Sequence, residues 1–135
     1  MSKPIEKSFG VLNPLFPCGD VLVVCGGREF WKRIFKRRRM PDNAMPDDHA
    51  GGLLELERKS GRLYVMEIPE ADFSIDWYGT FAHEISHLVD HVTERVNAKD
   101  GETRAYLMDF YTRAILGMLL GIRTSTFDER HFKHK

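Results

Sequence analysis

The sequence predicts a single α+β domain built on one small sheet. Three observations predict it. VLVVCG (21–26) is a short apolar, β-branched run; residues 53–68 carry a hairpin pattern; and 28–39, 75–96 and 101–120 show helical periodicity. The expected order is β-α-β-β-α-α. At 135 residues the chain suits one compact domain, with a core large enough to need no disulfide staples.

Residues 1–20 hold Pro4, Pro14 and Pro17 and read as an irregular arm. The opening MSKPIEKSFGVLNP has no apolar h-region, so no signal peptide is expected. VLVVCG should be a buried strand, ended by Gly26 and Gly27. Cys18 and Cys25 lie seven apart and form no CxxC pair. They read as thiols in a reducing compartment, with one disulfide between them as the alternative.

REFWKRIFKRRR (28–39) has helical spacing. Phe30, Trp31, Ile34 and Phe35 form an apolar stripe, surrounded by seven basic residues against one acid. MPDNAMPDDHAGG (40–52) is a loop by its Pro, Asp, Asn and Gly content. In LLELERKSGRLYVMEI (53–68), Leu54 and Leu56 alternate with Glu55 and Glu57, KSG supplies the turn and Leu63–Ile68 return. Pro69 ends the second strand.

A long helix follows from Ile75 to Val96, capped by Ser74 or Asp76. A second runs from Gly101 to Leu120, with Asp100 as N-cap and Gly121 as the C-terminal stop. RTSTFDERHFKHK, at the end, is a polar tail. Formal net charge is zero, so no global field for polyanions is implied. The longest apolar run, AILGMLLGI, is too short to span a bilayer. The expectation is a cytoplasmic protein with no membrane partner.

FAHEISHLVDHV (81–92) carries the chemistry. At about 100° per residue, Trp77, Phe81, Ile85, Leu88, Val89 and Val92 fall in one apolar arc. Tyr78, Ala82 and Val96 extend it. His83, His87 and His91 lie opposite with Thr80, Asp90 and Glu94, so the core is satisfied without them. His83 and His87 are one turn apart and can converge on one ion. Glu84 points about 100° away from His83, where it can reach a water beside the metal. This is the HExxH logic of zinc hydrolases: two ligands and one general base. His91 lies about 12 Å from His83 along the axis and cannot share the ion. It reads as a rim residue, and Glu94 is equally out of reach. Asp90 and Thr93 stand where HExxHxxGxxH needs Gly and His, which excludes that class.

The third ligand must come from another element. The 101–120 helix is apolar nearly all round and reads as buried, yet Glu102, Tyr106, Asp109 and Arg113 share one stripe. A polar stripe on a buried helix requires partners. Glu102, in the first turn, is the choice of third zinc ligand, and Asp109 is its rival. Asp109 can also serve by accepting a hydrogen bond from a ligand histidine. Without a metal, the stripe would be an ion pair of Arg113 with Glu102 or Asp109.

HEISH followed by ETRAYL resembles the small zincin-type metallopeptidases of the gluzincin kind, particularly the minimal versions of bacteriophages and prophages. The resemblance implies zinc on His83, His87 and Glu102, and the base role on Glu84. It also implies a zincin-like fold with a small sheet before the active helix, its edge strand flanking the substrate cleft. If the chain is phage-encoded, its setting would be the host cytoplasm. The expected function is hydrolysis of a polypeptide substrate. Three protein ligands leave one zinc position open for water, from which Glu84 takes a proton. Tyr106 and His91 are candidates to stabilise the oxyanion.

Two other classes stand beside it. One is nucleic-acid binding through the basic helix 28–39, with its aromatic stripe as a stacking platform. Against it, Phe30, Trp31, Ile34 and Phe35 have core spacing, and residues 40–76 hold nine acids against three basic residues. The other is a non-catalytic protein that keeps zinc for structure and binds a phage or host protein.

Overall fold

The computed structural model describes residues 3–14, 19–40, 52–58 and 61–121. Seven elements follow in order: β1 (Lys7–Val11), β2 (Asp20–Cys25), α1 (Arg28–Arg37), β3 (Gly52–Arg58), β4 (Gly61–Ile68), α2 (Ile75–Arg95) and α3 (Gly101–Leu120). The strands form one mixed sheet in the order β1-β2-β4-β3. β2 and β4 pair in parallel at its centre, and both outer pairs are antiparallel. The α+β class and the small sheet are as the sequence predicts.

The sheet has helices on both faces. Val21, Val23 and Cys25 of β2, with Tyr64, Met66 and Ile68 of β4, pack under α2 and α3. Leu22, Val24 and Val65 face the other way, against Trp31, Ile34 and Phe35 of α1. Covering both faces is why β2 reads as an unbroken apolar run instead of an alternating one.

One element differs from expectation. Lys7–Val11 is a strand, where the prolines predicted an irregular arm, and the order becomes β-β-α-β-β-α-α. Phe9 and Val11 point into the core, and the strand pairs Lys7–Val11 with Val21–Cys25. Pro4 and Pro14 bracket this strand without entering it. Its pairing with β2, and not local propensity, makes it a strand.

The helix boundaries follow their caps. The Ser74 hydroxyl accepts from the Trp77 amide at 3.1 Å, so Ser74, not Asp76, starts α2. The Asp100 carboxylate accepts from the Thr103 amide at 2.8 Å and starts α3. Gly121 closes α3 in the left-handed region at φ 69°, a conformation that favours glycine. The 41–51 part of the loop, Cys18, Lys59 and Ser60 of the turn, and the 122–135 tail lie outside the described residues.

A second correction concerns α3. Its inner side, with Leu107, Tyr111, Ala114, Ile115 and Leu119, is buried. Glu102, Tyr106, Asp109 and Arg113 stand on its exposed side. The helix is half-buried, so its polar stripe is solvated and does not require buried partners.

Candidate metal centre

α2 lies on the sheet with Trp77, Phe81, Ile85, Leu88, Val89 and Val92 buried beneath it. That packing fixes the rotation of the helix. His83 and His87 are thereby presented on its exposed side, one turn apart. Tyr78 and Ala82, at the margins of the predicted arc, are also exposed. The two imidazoles converge: their Nε2 atoms are 3.0 Å apart and the ring planes stand at 89°.

Zinc–nitrogen bonds of about 2.0–2.1 Å in tetrahedral geometry separate two ligand nitrogens by about 3.3 Å. The His83–His87 pair fits that spacing within a few tenths of an ångström. Glu84 sits one residue around the helix and is only 4% exposed. Ligating atoms of His83, Glu84 and His87 all lie within 4.8 Å of one another. Among the described residues this is the one such group of three or more histidine, cysteine or acidic side chains.

The three side chains line a groove of about 1060 Å³. Its floor is α2, from Ile75 through Gly79 and Thr80 to His91, and its opposite wall is Gly52 and Leu53 of the edge strand β3. His91 closes one end, its Nδ1 3.0 Å from Glu55 Oε2 on β3. Burial alone would raise the Glu55 carboxyl, but hydrogen bonds from His91 and Arg62 outweigh it and hold the group below its ordinary range. His91 is thus a rim residue that ties the helix to the edge strand.

On its other side α2 meets the start of α3. Arg104 donates to Asp90 and, at 3.1 Å, to Ser86. Glu102 is exposed in the first turn of α3, two residues before this anchor, and is outside the His83–Glu84–His87 group. Asp109 pairs with Arg113 at 2.7 Å on the solvent side of α3 and is also outside the group. Tyr106 is 51% exposed, with its ring 6.3 Å from that of Phe110. None of these three lines the groove described above.

Sequence reasoning missed Glu67. It is 6% exposed, on β4, where it pairs in register with Gly52. By strand alternation it belongs with Leu63 and Val65 on the α1 face. Burial pushes its carboxyl up to about 7; the Arg28 charge opposes this and the Glu84 charge adds to it. The available signal was a lone acid inside the otherwise apolar LYVMEI.

Comparisons of the chain with protein-family models, with curated proteins and with solved structures found no match.

Proposed function

We propose that the protein is a zinc-dependent metallopeptidase with Glu84 as general base. The observation that carries this reading is the convergence of two exposed histidine nitrogens beside one buried carboxylate, inside a groove. Structural zinc sites are usually closed by four protein ligands, whereas here the pair opens onto about 1060 Å³ of accessible space. His83 and His87 hold the metal in this reading. Glu102, which stands outside the His83–Glu84–His87 group and off the groove, would have to turn in from the first turn of α3 to complete the set; no hydrogen bond or ion pair among the described residues holds its side chain elsewhere. When bound, zinc supplies Lewis acidity, which acidifies a water and polarises a carbonyl.

Glu84 accepts the proton of the attacking water and returns it to the leaving amine. Its carboxylate, 4% exposed, borders the groove beside both histidines, where such a water would sit. His91 and Tyr106 are the chain's candidate donors to the developing oxyanion, and His91 is the better placed, at the groove rim. A polypeptide substrate is favoured by the edge strand. β3 pairs only with β4 among the described strands, so its outer edge can take an extended peptide alongside the groove. The buried thiol of Cys25 fits the reducing, cytoplasmic setting this reading assumes.

The test is metal content and peptide cleavage in three proteins. Wild type should carry about one zinc per chain and cleave members of a mixed peptide library. His83→Ala should lose the metal. Glu84→Gln should keep it and cleave about 10²–10⁴-fold more slowly. Equal cleavage by Glu84→Gln and wild type would overturn the mechanism; full zinc in His83→Ala would overturn the site.

A further inference from the structure

Among the described residues, the strongest charge feature lies away from the groove. α1 buries Trp31, Ile34 and Phe35 against the sheet face opposite α2 and α3. Its outward side carries Arg28, Lys32, Arg33, Lys36 and Arg37, all exposed, and Arg38 and Arg39 follow directly. Within this cluster Glu29 lies 3.5 Å from Lys32 and Glu6 3.9 Å from Arg33, and the Arg28 charge acts on the buried Glu67 of β4.

An ordinary solvated face does not account for this arrangement. Arg28–Lys32, Lys32–Lys36 and Arg33–Arg37 are like-charged pairs four residues apart. Each weakens a helix by roughly 0.2–0.5 kcal/mol. Cations in the last turn do favour the helix dipole, but that benefit is confined to the terminal turn. It contributes at Lys36 and Arg37 without requiring the run of four cations from Lys36 to Arg39, and it does not reach Arg28, Lys32 or Arg33.

We propose that the outer face of α1 docks on the phosphate backbone of duplex DNA. Five of the seven cations are arginine, whose planar fork matches phosphate oxygens bidentately. A single strand would need aromatic rings to stack its bases. Here Trp31 and Phe35 stack on each other in the core, with centroids 4.2 Å apart, and are unavailable. The same burial argues against membrane insertion, which needs an apolar helix face turned outward. Nothing on this face is built to read base edges, so the binding is independent of sequence and set by charge.

The experiment is fluorescence anisotropy of a labelled duplex DNA with the full chain. If Lys36, Arg37, Arg38 and Arg39 neutralise about four phosphates, affinity should fall about 10²-fold between roughly 50 and 200 mM salt. A scrambled duplex should bind equally, and the corresponding single strand more weakly. The triple variant Lys36→Gln, Arg37→Gln, Arg38→Gln should bind at least about tenfold more weakly at the lower salt, with a shallower salt slope. The charge-preserving variant Lys36→Arg, Arg37→Lys, Arg38→Lys should bind like the parent, which keeps the test informative if the first variant folds poorly. No binding at the lower salt overturns the proposal. So does unchanged affinity in the triple Gln variant, or loss of affinity in the charge-preserving one. Tighter binding to the single strand, or to phosphatidylserine vesicles in place of duplex, also overturns it.

Discussion

Glu84 and Glu67 are two buried acids that only their surroundings tell apart. Both are at least nine-tenths buried, at 4% and 6% exposure, but only Glu84 borders the groove. Glu67 therefore has a consequence for stability that is independent of any catalytic role. Its folded carboxyl lies at about 7, above the ordinary 4.5. A folded state that holds a proton more tightly than the unfolded chain loses stability as pH rises through that interval. Wild type should thus be more stable at pH near 4.5 than near 7, as far as this group is concerned. Glu67→Gln removes the charge and keeps the shape. It should raise stability at pH above 7 by about 1–3 kcal/mol and have little effect below 4.5. Thermal melts of both proteins across that range measure it. A pH-independent difference between them would show that the carboxyl does not titrate as described.

The helices depend on their caps, and the candidate ligands depend on the helices. Ser74 and Asp100 each accept from the amide three residues on, at the starts of α2 and α3. Replacing either by alanine should cost about 1 kcal/mol. For a domain of this size that is about 3–5 °C in Tm. The two variants should differ in zinc affinity. Ser74→Ala frays a turn two turns away from His83, so metal binding should be unaffected. Asp100→Ala loosens the first turn of α3, which carries Glu102, so zinc should bind more weakly. Equal zinc affinity in Asp100→Ala and wild type would count against Glu102 as the third ligand. Direct replacement, Glu102→Ala, should lower zinc affinity further, and isothermal titration of all three variants orders the effects.

Across the whole molecule the sheet separates two chemistries. The groove lies on the α2 side and the basic face on the α1 side, with both cores between them. Substitutions at well-separated sites with no shared partners act additively. Removal of zinc with a chelator should therefore leave duplex affinity unchanged. The triple glutamine variant of α1 should retain full zinc and full peptide cleavage. A loss of cleavage in that variant would mean that the two faces communicate through the sheet. No helix among the described residues is long and apolar enough to cross a membrane.

The pattern of apolar residues in the chain was sufficient to place α1, α2, α3 and the 53–68 hairpin, because their periodicities are local and strong. It also placed His83 and His87 on one face, since a spacing of four on a helix leaves little choice. Three matters were decided only by tertiary packing. β1 is a strand because β2 lies beside it, a pairing that no property of KSFGV contains. The polar stripe of α3 is solvated because the sheet and α2 cover only one side of that helix. A wheel that is apolar nearly all round cannot say which side. Glu67 is buried because its strand runs at the centre of the sheet with α1 over its face, and sequence distance gives no hint of either neighbour. Local spacing determines which residues share a face; only the packing of separate elements determines what that face meets.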